Sequence, residues 1–111
     1  MGAADAQRGC RPSDISIRVH QHVLPDFPGG VPEYTATFRT ECPCPMESVH
    51  VTCDGLDGGA VPPDPSLVEV DDEGLCVLKQ PVVPGKPYRF KYAVATPVNF
   101  RVISGYAACG K

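Results

Sequence analysis

Residues 88–104 read Tyr-Arg-Phe-Lys-Tyr-Ala-Val-Ala-Thr-Pro-Val-Asn-Phe-Arg-Val-Ile-Ser, and their alternation decides the fold class. Tyr88, Phe90, Tyr92 and Val94 fall on one side of an extended chain, with Arg89 and Lys91 on the other. Phe100, Val102 and Ser104 repeat the pattern against Arg101 and Ile103. Period two with an apolar side is the mark of a half-buried strand. A three-residue loop, Ala95-Thr96-Pro97, would pair Val94 with Val98, Tyr92 with Phe100 and Phe90 with Val102, keeping the aromatics on one face. A hairpin is therefore expected, with Lys91 opposite Arg101 and Arg89 nearby on the outer face.

The same period recurs upstream. Ile15, Ile17, Val19 and Val23 alternate with Ser16, Arg18, His20 and His22. Tyr34, Ala36 and Phe38 alternate with Thr35, Thr37 and Arg39, and Val49, Val51 and Cys53 with His50 and Thr52. Short apolar pieces follow at 67–70 and 75–78. Between these runs lie loops rich in proline and glycine, at 24–32, 54–66 and 81–87. The 54–66 loop is expected to be exposed. Cys42-Pro43-Cys44-Pro45 cannot feed a sheet ladder, because proline has no N–H to donate. No segment carries a helical stripe. The expectation is an all-β chain, an antiparallel β-sandwich of about six to seven short strands. Residues 1–9 are expected to form a flexible tail, and 10–111 a single domain.

The chain has 111 residues, with 13 prolines, 11 glycines and six cysteines, and a net charge of -3. No apolar run approaches the length of a membrane-spanning helix, so no membrane insertion is expected. The acidic balance excludes a generally basic nucleic-acid binder. Cys10, Cys42, Cys44, Cys53, Cys76 and Cys109 suit an oxidising compartment, and a domain this small needs covalent staples beside its marginal core. A bond between Cys42 and Cys44 would close a very small ring, which leaves twelve possible pairings of the six. Residues 1–8 show no apolar core of a secretory signal, so export implies a leader already removed.

Motifs for chemistry are sparse. A structural zinc site would repeat a close cysteine pair, and here Cys42 and Cys44 stand alone, so no metal is expected. His20, His22 and His50 could converge on a metal if their strands were neighbours, but solvent-facing strand histidines are the commoner case. Glu69, Asp71, Asp72 and Glu73 read as an acidic turn, because Gly74 comes too late for a calcium loop. No hydrolase, P-loop or dinucleotide motif is present, so neither an enzyme nor a cofactor is expected. A sugar platform needs exposed aromatics, and only Phe27 and Tyr106 fall outside the expected core. Arg89, Lys91 and Arg101 form a basic patch that could meet a partner. A polysaccharide-binding module and, through the 54–66 loop, a protease inhibitor are the alternatives.

The order of these features resembles the tapetum determinant family of small, secreted, cysteine-rich plant signalling proteins. The likeness starts at Cys10, with Asp14-Ile15-Ser16-Ile17 and Gln21, and continues through Gly30-Val31-Pro32-Glu33-Tyr34 to Cys42. Val49-His50-Val51-Thr52-Cys53, the Val61-Pro62 to Pro65 stretch and Cys76-Val77-Leu78 follow. Pro84-Gly85, Phe90-Lys91-Tyr92-Ala93, Pro97 and a last strand ending at Cys109 complete it. The resemblance implies a protein ligand secreted to the apoplast of the anther. Its partner would be the ectodomain of a leucine-rich-repeat receptor kinase, and its role would be to set tapetal and sporogenous cell fate.

Overall fold

The computed structural model describes residues 10–22 and 31–109, in which seven strands form two antiparallel sheets. The strands are β1 (Ile15–His22), β2 (Glu33–Thr40), β3 (Met46–Thr52), β4 (Val68–Val70), β5 (Leu75–Leu78), β6 (Tyr88–Ala93) and β7 (Arg101–Ala107). One sheet has the order β1-β2-β6 and the other β4-β5-β3-β7. The expected tail at 1–9, Val23 and Phe27 lie outside the described residues.

Alternation sets which side of each sheet is dry. Tyr34, Ala36 and Phe38 of β2 are buried beside Tyr88, Phe90 and Tyr92 of β6. Val51, Cys76, Leu78 and Val68 supply the buried side of the second sheet. Phe38 sits at the centre, fully buried, with its ring 5.7 Å from Phe90, 6.0 Å from Phe100 and 6.4 Å from Tyr88. Edge-to-face and offset contacts of this kind add to the area term of burial. A polar staple joins the layers. The Tyr88 hydroxyl donates to the Leu67 carbonyl at 2.5 Å and accepts from the Gln80 amide at 3.2 Å.

The expected hairpin over 88–104 does not form. β6 pairs with β2, and β7 pairs with β3 in the other sheet. Residues 94–100 instead cross from one layer to the other, burying Val94, Val98 and Phe100 on the way. Phe100 does meet Phe90 and Tyr92, at 5.9 and 5.7 Å, but across the sandwich rather than along a ladder. Inward-facing residues of two stacked sheets obey the same parity as partners on paired strands. The alternation alone therefore fits either arrangement.

The 54–66 loop is less open than its composition implied. Leu56 opens a single 3-10 turn, Leu56–Gly58, and is only 1% exposed. Val61 and Ala93 exchange backbone hydrogen bonds of 3.0 and 3.3 Å, which sews the loop to β6. Gly59 permits this approach, since a Cβ there would lie 2.6 Å from the Ala93 carbonyl oxygen. The acidic run behaves as a turn. Asp71 accepts from the amides of Glu73 (2.8 Å) and Leu75 (3.0 Å), closing the β4–β5 connection.

All six cysteines are bonded, as Cys10–Cys42, Cys44–Cys109 and Cys53–Cys76. Cys53–Cys76 ties the end of β3 to β5 within the second sheet. The other two bridges meet at one corner, because Cys42 and Cys44 are separated only by Pro43.

Tyr92 is the one buried side chain among the described residues with an unpartnered polar atom, its phenol oxygen. Burial, with Tyr34 stacked beside it, pushes this phenol up to about 12. Unfolded tyrosine ionises near 10, so the share of stability from the neutral phenol is complete below pH 10 and declines as the pH rises towards 12. Tyr92→Phe should remove that alkaline loss. It should also leave the chain equally stable, or more stable by about 1 kcal/mol, at pH 7, because an unmade buried hydrogen bond disappears. Urea melts at pH 7 and pH 11 test this; a loss above about 1 kcal/mol at pH 7 would refute it.

Candidate functional site

The three cations grouped from the sequence are split by the fold. Arg89 and Lys91 lie on the outer face of the β1-β2-β6 sheet, opposite Thr37 and Thr35. Arg101 lies on the second sheet, opposite Thr52 of β3. The expected pairing of Lys91 with Arg101 is thus corrected, since their strands belong to different layers.

The patch around Arg89 is completed by residues distant in sequence. Antiparallel pairing places Arg18 opposite Thr37 and His20 opposite Thr35, on the same face. Thr37 is therefore flanked by Arg18 on one side and Arg89 on the other, and Thr35 by His20 and Lys91. Arg39, two residues along β2, projects from that face as well. Arg18, Arg39, Arg89 and Lys91 are all exposed. None of them makes an ion pair; the described residues hold one, Lys79 with Glu69 on the second sheet. Glu33 is the single carboxylate on these three strands, opposite His22 at the far end. His22 is engaged with the Thr35 hydroxyl at 2.6 Å, and its ring meets His20 edge-on at 5.1 Å. His50 stands on the other sheet, held to the Ser48 carbonyl at 2.9 Å, so the three imidazoles do not converge.

The stretch that carries β3, β4, β5 and their connecting loops is acidic. Residues 40–78 contain nine carboxylates and no lysine or arginine. A shallow cleft there is bordered by Glu47, Glu69, Asp71 and Asp72, with Lys79 at its side. Along β7, at the edge of this sheet, Arg101, Ile103 (45% exposed) and Tyr106 (55% exposed) face solvent. The Tyr106 hydroxyl donates to Glu47 at 3.2 Å, which fixes the ring's direction while leaving its face open. The expectation that Tyr106 stays outside the core holds. The other described aromatics are buried.

The chain thus presents two unlike surfaces on a rigid frame, one cationic and one carrying an aromatic, an aliphatic and a guanidinium. Neither groups a nucleophile with a base: Cys53, three residues from His50, is bonded to Cys76. Among the described residues no three His, Cys, Asp or Glu side chains gather as metal ligands would.

A family model described as "Tapetum determinant 1, C-terminal" matches residues 13–109, which takes in all seven strands. The chain belongs to the tapetum determinant family. This is a signalling family and not an enzymatic one, in keeping with surfaces built for contact. No curated protein sequence and no solved structure matches the chain significantly. Three disulfides agree with an extracellular setting for this family member. Among the described residues no helix is long and apolar enough to cross a membrane.

Proposed function

We propose that this chain is a protein ligand secreted to the apoplast, which engages the ectodomain of a leucine-rich-repeat receptor kinase and so controls tapetal and sporogenous cell fate in the anther. The observation that carries this reading is the family match across the whole sandwich. The frame supports it. A surface already fixed by three bridges loses little freedom on docking, which lowers the ordering cost of binding.

The receptor-facing surface in this reading is the open side of β7, with Arg101, Ile103 and Tyr106. Interfaces draw most of their binding energy from a few tyrosine, tryptophan and arginine anchors that become desolvated. Tyr106 and Arg101 are of that type, and Ile103 adds apolar area between them. Arg89 and Lys91 face away on the other sheet.

The test is direct binding of the disulfide-bonded chain to purified receptor-kinase ectodomains of the leucine-rich-repeat class, read by biolayer interferometry. Tyr106→Ala is expected to weaken the complex by at least about 2 kcal/mol, some thirtyfold. A complex indifferent to Tyr106→Ala and Arg101→Ala would move the contact elsewhere. Absence of binding to every ectodomain of the class would overturn the ligand reading.

A further inference from the structure

The outer face of the β1-β2-β6 sheet remains unused by that contact, and its chemistry points to a different kind of partner. We propose that Arg18, Arg39, Arg89 and Lys91 bind an acidic polysaccharide, a chain of uronic-acid sugars. The proposal shares with the ligand reading only the premise that the chain works outside the cell.

Charge is the first argument. Strands β1, β2 and β6 carry four cations against Glu33 alone, while the chain as a whole is at -3. Cations on one sheet face repel one another across the ladder. Carboxylates are plentiful elsewhere in the chain, yet among the described residues none is paired to these four. A fold that separates its charges in this way leaves a field over one face that an anion can neutralise.

The second argument is what the face lacks. Between the cations stand Thr35, Thr37, His20 and Ser16, and no Phe, Tyr or large aliphatic residue shares their strand parity, although the exposed Val19 borders Arg18. Arginine also anchors protein interfaces, but there it works beside a desolvated apolar or aromatic centre. A hydrophilic polymer needs neither. It asks for planar donors matched to carboxylates and for hydroxyl partners, and arginine with threonine supplies both.

Spacing is the third. Neighbouring strands lie about 4.8 Å apart and same-face residues about 6.8 Å apart along a strand. Arg18 and Arg89, two strands apart, are thus set at roughly 10 Å across Thr37, with Arg39 one step along. Arg18, Arg39 and Arg89 border one shallow, open depression with Thr37 and His20, and their separated charges suit a chain of regularly repeated carboxylates.

Immobilised polygalacturonate is the probe. The native, disulfide-bonded chain should be retained at 50 mM salt and released at least tenfold more readily at 300 mM. It should pass through fully methyl-esterified polygalacturonate and neutral xylan. Arg18→Gln/Arg89→Gln should lose at least tenfold in retention, whereas Arg101→Gln, on the opposite sheet, should keep it. Arg39→Gln alone should give a smaller loss, and circular dichroism confirms that each exposed substitution leaves the fold intact. Passage of the native chain through polygalacturonate at low salt, or an equal effect of Arg101→Gln, would overturn the proposal. So would equal or tighter retention on dextran sulfate or RNA, since that would mark a general polyanion binder. A receptor complex abolished by Arg18→Gln/Arg89→Gln would assign the face to a protein instead. Retention on polygalacturonate with no receptor binding would strike the ligand reading and leave this one standing.

Discussion

Replacing Cys44 and Cys109 together with alanine is expected to lower the unfolding free energy by about 4 kcal/mol. The bridge spans 65 residues, the longest separation of the three, against 32 for Cys10–Cys42 and 23 for Cys53–Cys76. Loop-closure entropy grows with the logarithm of that separation, so losses should rank in the same order, over a range of about 1 kcal/mol. Structure adds a local reason. The bridge fastens the end of β7, an edge strand whose ladder to β3 is interrupted by two register shifts. Ser48, left-handed at φ 53°, stands in that interruption. Beyond it the ladder is reduced to the pairings of Glu47 with Tyr106 and Met46 with Ala107, and a 2.8 Å bond from the Ala108 amide to the Pro45 carbonyl. Without the bridge, amide exchange along β7 should accelerate well before the β1-β2-β6 sheet is affected. Urea melts and hydrogen exchange on the double variant test both statements. A loss below about 1 kcal/mol would mean that the ladder, not the bridge, holds this strand.

Phe38→Ala should cost about 3–5 kcal/mol, comparable to much of the net stability of a domain this size. Phe38 is fully buried and touches rings from both sides of the sandwich, Tyr88 and Phe90 from its own sheet and Phe100 from the crossing segment. Truncation empties the place where the layers meet, and rings held by the sheet on one side and by the crossing segment on the other have little room to close in. Phe38→Leu, which keeps most of the volume, should cost less than half as much. A thermal melt of each variant, with the bridges intact, reads the difference. A cost below about 1.5 kcal/mol for Phe38→Ala would show that the two layers pack independently of this ring.

The fold class was open to reading because it rests on local period. Alternation runs through Ile15–Val19, Tyr34–Arg39 and Tyr88–Tyr92 in sequence, and each lies within a strand. The pairing of strands was harder, because parity fixes a face and not a neighbour. Tyr92 and Phe100 share an interior whether they lie on one ladder or on two stacked sheets. One signal did favour the crossing: Tyr92, Ala93 and Val94 are consecutively apolar, and all three are buried. Such a break in alternation is what a chain leaving one layer for another requires. In the 54–66 loop the abundance of proline, glycine and aspartate masked a single anchor, Leu56.

The candidate surfaces were legible only in part. Arg89 and Lys91 were found together because they are two residues apart. Arg18 and Arg39 join them through the β1–β2 and β2–β6 pairings, which no local pattern states. Arg101 was drawn into the same patch by the hairpin that does not form. The charge segregation itself was available in the sequence, as the long stretch from 40 to 78 without a lysine or arginine.

The corner at Cys42-Pro43-Cys44 has a mechanical consequence. Cα separations of 5.5 Å for Cys10–Cys42 and 4.9 Å for Cys44–Cys109 hold Cys10 and Cys109 no more than about 18 Å from each other. Tension applied through both ends of the molecule would travel from Cys10 to Cys109 along two sulfur bridges and three residues. The strands would carry none of the load, and pulling would leave the sandwich folded until a covalent bond gave way.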